Sequence, residues 1–167
     1  MKPIVTFVLG LIALPILGLV AVPLGLLPSK ATPNPPQWEA GIAMRALDAS
    51  LEKRGRSVKN PIKPGDNVTL AAGAKLYEQQ CSGCHGDAKG PSSWGTNDFY
   101  PRVPQFYQMK DNDLTPEEAY VVIHDGIRYS GMAAWGDQIP DSDIWKLANF
   151  VPTIKRIEPP CCAKPAK

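Results

Sequence analysis

The run Cys81-Ser82-Gly83-Cys84-His85 constrains this chain more than any other five residues. Its two thiols stand about one helical turn apart, and an imidazole directly follows the second. A redox-active dithiol of the thioredoxin kind would need a βαβ context. The flanks here read instead as a helix before the motif and a Gly-rich loop after it. A zinc site would need a second ligand pair, and the only other cysteines, Cys161 and Cys162, adjoin each other in a proline-rich tail. The chemistry that uses all three fixed positions is covalent attachment of a c-type haem. Cys81 and Cys84 form thioethers to the porphyrin vinyl groups, and His85 is placed as proximal iron ligand. One such motif means one covalent haem c.

The N-terminus suggests where that haem works. From Pro3 to Leu27 there is no charged residue, and such a run matches the ~20 apolar residues of a membrane-spanning helix. Lys2 ahead of an apolar stretch is also how an export signal begins. A signal's apolar region is typically only ~7–15 residues, however, and Ser29-Lys30-Ala31 is a poor cleavage site. An uncleaved single-pass anchor is favoured, kinked at Pro15 and Pro23 and able to pack against another membrane subunit. Flanking charge leaves its orientation open, with Lys2 before the span and Lys30 and Arg45 after it. The haem motif decides, because covalent haem attachment in bacteria belongs to the exported side. The N-terminus is then cytoplasmic, and everything after Leu27 lies on the periplasmic side of the inner membrane.

Four regions follow from composition. Residues 1–28 are the transmembrane anchor. Residues 29–64 begin as a proline-rich, extended tether. They continue as a short helix from Trp38 to Arg54, with Ile42, Ala43, Ala46, Leu47, Ser50 and Leu51 on one face, ended by Gly55. A basic linker completes them, and the pattern does not choose whether the helix packs on the haem domain or on a partner. Residues 65–159 are the haem domain, and 160–167 a tail. Three helices are legible in the domain. The first carries Leu70, Gly73, Ala74 and Tyr77 on one face and runs into Cys81. The second starts at Thr115 with Pro116 and Glu118 as a capping signal and stops near Gly126. Its inward stripe is Ala119, Val122 and Ile123. The third starts near Asp141, carries Ile144, Leu147, Ala148 and Val151, and stops before Pro152. No segment alternates with period two, so the chain is expected to be all-α.

The segments Gly73 to Gly86 and Ile144 to Val151 resemble the N-terminal and C-terminal helices of the class I c-type cytochromes, in the family's order. That resemblance implies the small all-helical cytochrome c fold around one haem. It also implies a close crossing of the two helices, with Gly73 and Tyr77 against Phe150. The segment Gly126 to Gly136 is similar to the family's distal loop, which implies Met132 as second axial ligand. Ala133 stands where the family often has proline. Met109 is the reserve ligand, Met44 lies outside the domain, and His124 reads as a surface residue of a half-polar helix.

Residues 86–108 hold several Gly and Pro with interleaved aromatics, a length expected only if the loop wraps something, and the haem is what it is expected to wrap. Within it Arg102, Tyr100 and Trp94 are candidates to pair with the haem propionates, Arg102 because its fork suits a carboxylate. From Asp66 to Glu158 there are 8 basic and 13 acidic residues, about −5, whereas residues 30–63 hold 7 basic and 3 acidic, about +4. The acidic faces suit basic redox partners or are simply solvated, and the basic stretch suits anionic lipid or an acidic subunit. Nucleic acid is excluded by compartment. Cys161 and Cys162 read by default as inert tail thiols.

The function expected is one-electron transfer without substrate turnover, either as a cytochrome subunit of a membrane oxidoreductase or as a tethered shuttle. The alternative is a five-coordinate haem protein, a peroxidase or gas sensor, if Met132 is not a ligand.

Overall fold

The computed structural model describes residues 2–27, 29–31, 34–63, 65–110 and 112–155. Cys161 and Cys162 lie outside the described residues. Among the described residues seven α-helices follow in chain order: α1 (Lys2–Ala21), α2 (Gln37–Gly55), α3 (Asn67–Gln80), α4 (Ser82–His85), α5 (Ser93–Asn97), α6 (Pro116–Asp125) and α7 (Asp141–Phe150). Short 3-10 turns cover Phe106–Gln108 and Val151–Thr153. Among the described residues there is no strand, only an isolated bridge between Asp87 and Gly90. The fold is all-α, as the absence of period-two alternation predicts.

The chain divides into two units, residues 1–33 and 34–167. In the first, α1 is apolar all round, and Pro3–Ala21 is long and apolar enough to cross a bilayer. Its 20 residues rise about 30 Å, the thickness of a hydrocarbon core. Pro15 lies inside the helix. The apolar run continues to Leu27 but the helix ends at Ala21, because Pro23 has no N–H to extend the ladder. A tight turn closes instead, with Gly25 N–H donating to Val22 O at 3.1 Å.

The second unit is built on the crossing of α3 with α7. Tyr77, Ile144 and Leu147 are its largest fully buried side chains, each contributing roughly 1.5–3 kcal/mol of burial. Tyr77 meets Phe150 edge-on at 5.7 Å. Helix α6 lies against α7, with Tyr120 stacked on Trp145 at 4.1 Å. The capping signal of α6 is realised in full: Thr115 Oγ accepts from the Glu118 N–H, and Glu118 Oε2 accepts from the Thr115 N–H.

One stripe differs from expectation. In α6 the buried residues are Ala119, Val121 and Ile123, with Val122 only half-buried. Glu118, Val121 and Asp125 share a helical face, and α2 covers that face. Arg54 Nη1 pairs with Asp125 Oδ2 at 2.8 Å, and Gly55 abuts Glu118.

Helix α2 therefore packs on the rest of this second unit, to which its contacts join residues 34–63. Its inward face is also narrower than the sequence suggests. Leu51 is buried and Leu47 half-buried, while Ile42, Ala43, Ala46 and Ser50 are exposed. Leu47, Leu51 and Arg54 form one line along the helix, and Ile42 and Ala46 fall on its far side. The basic stretch after α2 is pinned as well. Asn60 Nδ2 donates to Asn149 Oδ1 of α7 at 2.9 Å, and Val58 and Ile62 pack against the core.

Candidate functional site

The motif sits where one helix hands over to the next. Cys81 is at once the C-terminal cap of α3 and the residue before α4. Its N–H donates to Tyr77 O at 2.9 Å, and its carbonyl accepts from the N–H groups of Cys84 and His85 at 3.1 and 2.9 Å. The two sulfurs and the imidazole are thus carried on a single helical turn continuous with α3, whose Tyr77 is locked in the core. Burial, followed by the neighbouring Cys84, pushes the Cys81 thiol up to about 12. A thiol at that value is scarcely ionised at neutral pH and so is not primed for disulfide exchange.

His85 is fixed through its ring. Nδ1 lies 2.9 Å from the Pro104 carbonyl, which only accepts, so Nδ1 carries the hydrogen and Nε2 is left with its lone pair. Phe106 stacks on the imidazole at 4.8 Å and 14°. Burial lowers the histidine's pKa, opposed in part by the Pro104 bond. A neutral, oriented imidazole with one free nitrogen is what an iron ligand requires.

A helix as short as α4 ends in orphan carbonyls, and the loop that follows supplies their donors. Gly83 O accepts from Ser92 Oγ at 2.6 Å and from Trp94 Nε1 at 2.7 Å. Cys84 O accepts from Gln105 Nε2 at 2.9 Å, and Gly86 O from the Tyr77 hydroxyl at 2.9 Å. Gln105 Oε1 in turn accepts from Ser92 N–H at 2.7 Å. The long loop, expected from its length to wrap the haem, cradles the backbone of the motif. Ser92, Pro104, Gln105 and Phe106 were not singled out by sequence. The signal that could have found them is the count of carbonyls left unpaired by a one-turn helix.

The residues expected at the propionates have protein partners in place. Trp94 donates to Gly83 O. Tyr100 donates its hydroxyl to Glu39 Oε1 of α2 at 2.9 Å. Arg102 Nε donates to Asn34 Oδ1 at 3.1 Å, and its Nη1 donates to the carbonyls of Phe99, at 2.7 Å, and of Asn97. These bonds close the loop and tie it to the segment around α2.

Met132 lies on the loop leaving α6. That loop is closed at its base by Trp135 N–H to Ile123 O and Gly136 N–H to His124 O, both at 3.0 Å, and by Ile127 N–H to Met132 O at 3.1 Å. Ser130 Oγ accepts from the Met132 N–H at 3.1 Å and donates to Ile127 O at 2.8 Å. The half-buried Met132 packs against the same hydrophobic core as Cys81. His124 is engaged elsewhere, with Nδ1 2.6 Å from Asp125 Oδ1 and its ring stacked on Tyr120 at 5.4 Å. Met44 is exposed on α2, and the Met109 N–H closes the 3-10 turn.

Paired sulfurs on one turn, an imidazole held by a carbonyl and a methionine loop on the same helical core fit a covalently bound haem, and together they define a c-type cytochrome. The family model of cytochrome c oxidase, cbb3-type, subunit III matches residues 68–151, half of the chain. The chain belongs to that family, and its domain is a haem c domain of electron transfer. Among curated proteins none matches. A solved structure of the reducing HAO-like protein complex of Kuenenia stuttgartiensis is similar at 23% identity and a TM-score of 0.45, over 57% of this chain and 47% of that one. This chain thus spans about half the length of the chain it matches.

Proposed function

We propose that this chain is a membrane-anchored, monohaem electron carrier without an enzymatic reaction of its own, facing the bacterial periplasm from the inner membrane. The observation that carries the reading is the His85 ring, held through Nδ1 by Pro104 with Nε2 left for iron. In this reading Cys81 and Cys84 hold the porphyrin, and His85 and Met132 are the axial ligands. The bound haem supplies a one-electron change of its iron. The chain's own part is to fix the proximal imidazole neutral, to offer a soft thioether that favours the reduced state, and to keep both on a core that moves little.

Apolar α1 supports the anchor, and the cbb3-type family supports a place as a cytochrome subunit of a respiratory oxidoreductase, ahead of a tethered shuttle. Redox partner proteins, other membrane subunits and the bilayer are then its partners. The purified ferric protein should contain one covalent haem per chain and show the weak near-infrared methionine-to-iron band, lost in Met132→Ala. An unmutated protein without that band that readily binds carbon monoxide when reduced would replace this reading with the five-coordinate one. Purification in mild detergent separates subunit from shuttle: a subunit brings other chains in stoichiometric amount.

A further inference from the structure

We infer that Trp94 and Phe99 form an aromatic strut that ties the haem-attachment turn to the Met132 loop, and that both act as positioning residues for the sixth iron ligand. The inference rests on Met132 as ligand.

Trp94 is fastened to the motif by its Nε1–H, 2.7 Å from Gly83 O. Its ring meets that of Phe99 at 4.9 Å and 49°. The next contact crosses to the distal loop. A Cβ built on Gly131 would stand 2.2 and 2.4 Å from Phe99 Cδ1 and Cε1, so the Gly131 backbone lies directly on the Phe99 ring. Gly131 precedes Met132. Only a residue without a side chain permits that approach, and a ring edge against backbone leaves little room for the loop to shift.

The strut is held at its other side too. Arg102 donates to the Phe99 carbonyl at 2.7 Å and to the Asn97 carbonyl, so the guanidinium expected at a propionate fixes the backbone that presents Phe99. The base of the methionine loop is fixed by its bonds to α6, and its tip by Phe99. The tip contact supplies the restraint on a loop that carries Ala133, not proline, after Met132. Trp94 is 49% exposed, so its ring contributes more as a spacer than as buried core.

The test is made on the full-length holoprotein with Phe99→Leu, Gly131→Ala and Trp94→Phe. Thr115→Ala serves as a control that removes the α6 cap far in sequence from the strut. Two signals are read: the near-infrared methionine-to-iron band with carbon monoxide binding to the reduced protein, and hydrogen exchange of residues 127–134. The strut predicts that Phe99→Leu and Gly131→Ala weaken the band, speed carbon monoxide binding and raise exchange in that loop about 2- to 10-fold, the scale of one aromatic contact. Trp94→Phe should do so to a lesser extent, and Thr115→Ala should leave both signals unchanged. Strut variants that keep the band, the binding rate and the loop protection of the unmutated protein overturn the proposal. If the unmutated protein lacks the band while exchange in 127–134 still rises in the strut variants, the ligand reading fails and the strut stands as a brace of the loop.

Discussion

At Gly73 the α3 backbone comes so close to α7 that a Cβ would lie 2.3 Å from the Lys146 carbonyl oxygen and 2.7 Å from Phe150 Cβ. Neither neighbour is the free end of a flexible side chain, so Gly73→Ala must push the helices apart. Alanine's better helix propensity returns up to ~1 kcal/mol, and overpacking of this kind costs about 1–3 kcal/mol. A net loss of stability is expected, read as a lower denaturant midpoint of the holoprotein. An unchanged midpoint would mean the crossing is looser than described. Gly73 was legible through resemblance: its segment resembles the N-terminal helix of the class I c-type cytochromes, which implies a close crossing with the C-terminal helix at that residue. Ser92 and Gln105 were not, since a serine and a glutamine in a loop carry no periodicity, and their partners are backbone carbonyls rather than side chains.

The start of α3 shows how an element responds to acid. Asp66 caps it, accepting from Thr69 Oγ1 at 2.6 Å and from the Val68 N–H at 3.2 Å. The Thr69 hydroxyl, ahead of the backbone N–H groups of Val68 and Thr69, holds the carboxyl below its ordinary value, while partial desolvation works the other way. A carboxyl whose folded pKa is depressed favours the fold above its unfolded pKa of about 3.9, and the contribution is lost as pH falls through the folded pKa. Asparagine caps without titrating. The stability difference between the unmutated protein and Asp66→Asn should therefore be constant near neutrality and shift only below about pH 4, as followed by denaturant titration at each pH. A difference that changes between pH 5 and 8 would assign the effect to another group. Helix α3, whose buried stripe of Gly73 and Tyr77 faces α7, was readable from helical spacing. Helix α6 was misread at Val122 because two helices share it, and a single-stripe pattern cannot represent two contact faces. In α2 the alanines extend the apparent apolar face past the line that touches anything.

For the molecule as a whole, the packing of α2 decides what counts as the domain. Leu51 is 4% exposed, Arg54 and Gly55 meet α6, and Tyr100 and Arg102 reach back to Glu39 and Asn34. Leu51→Ala should then cost about 2–5 kcal/mol, measured as thermal or denaturant unfolding monitored at the haem. A haem transition unmoved by that change would return α2 to the tether. The same packing shortens the leash. Between Leu27 and Gln37 only residues 28–36 remain outside both the apolar run and α2. Fully extended they span about 30 Å, against roughly 90 Å for residues 28–64 with α2 kept helical. On the proposed anchoring, the volume the haem can search falls by the cube of that ratio, on the order of 30-fold. Under that proposal, a short leash favours an electron acceptor that is a fixed neighbour over a distant one.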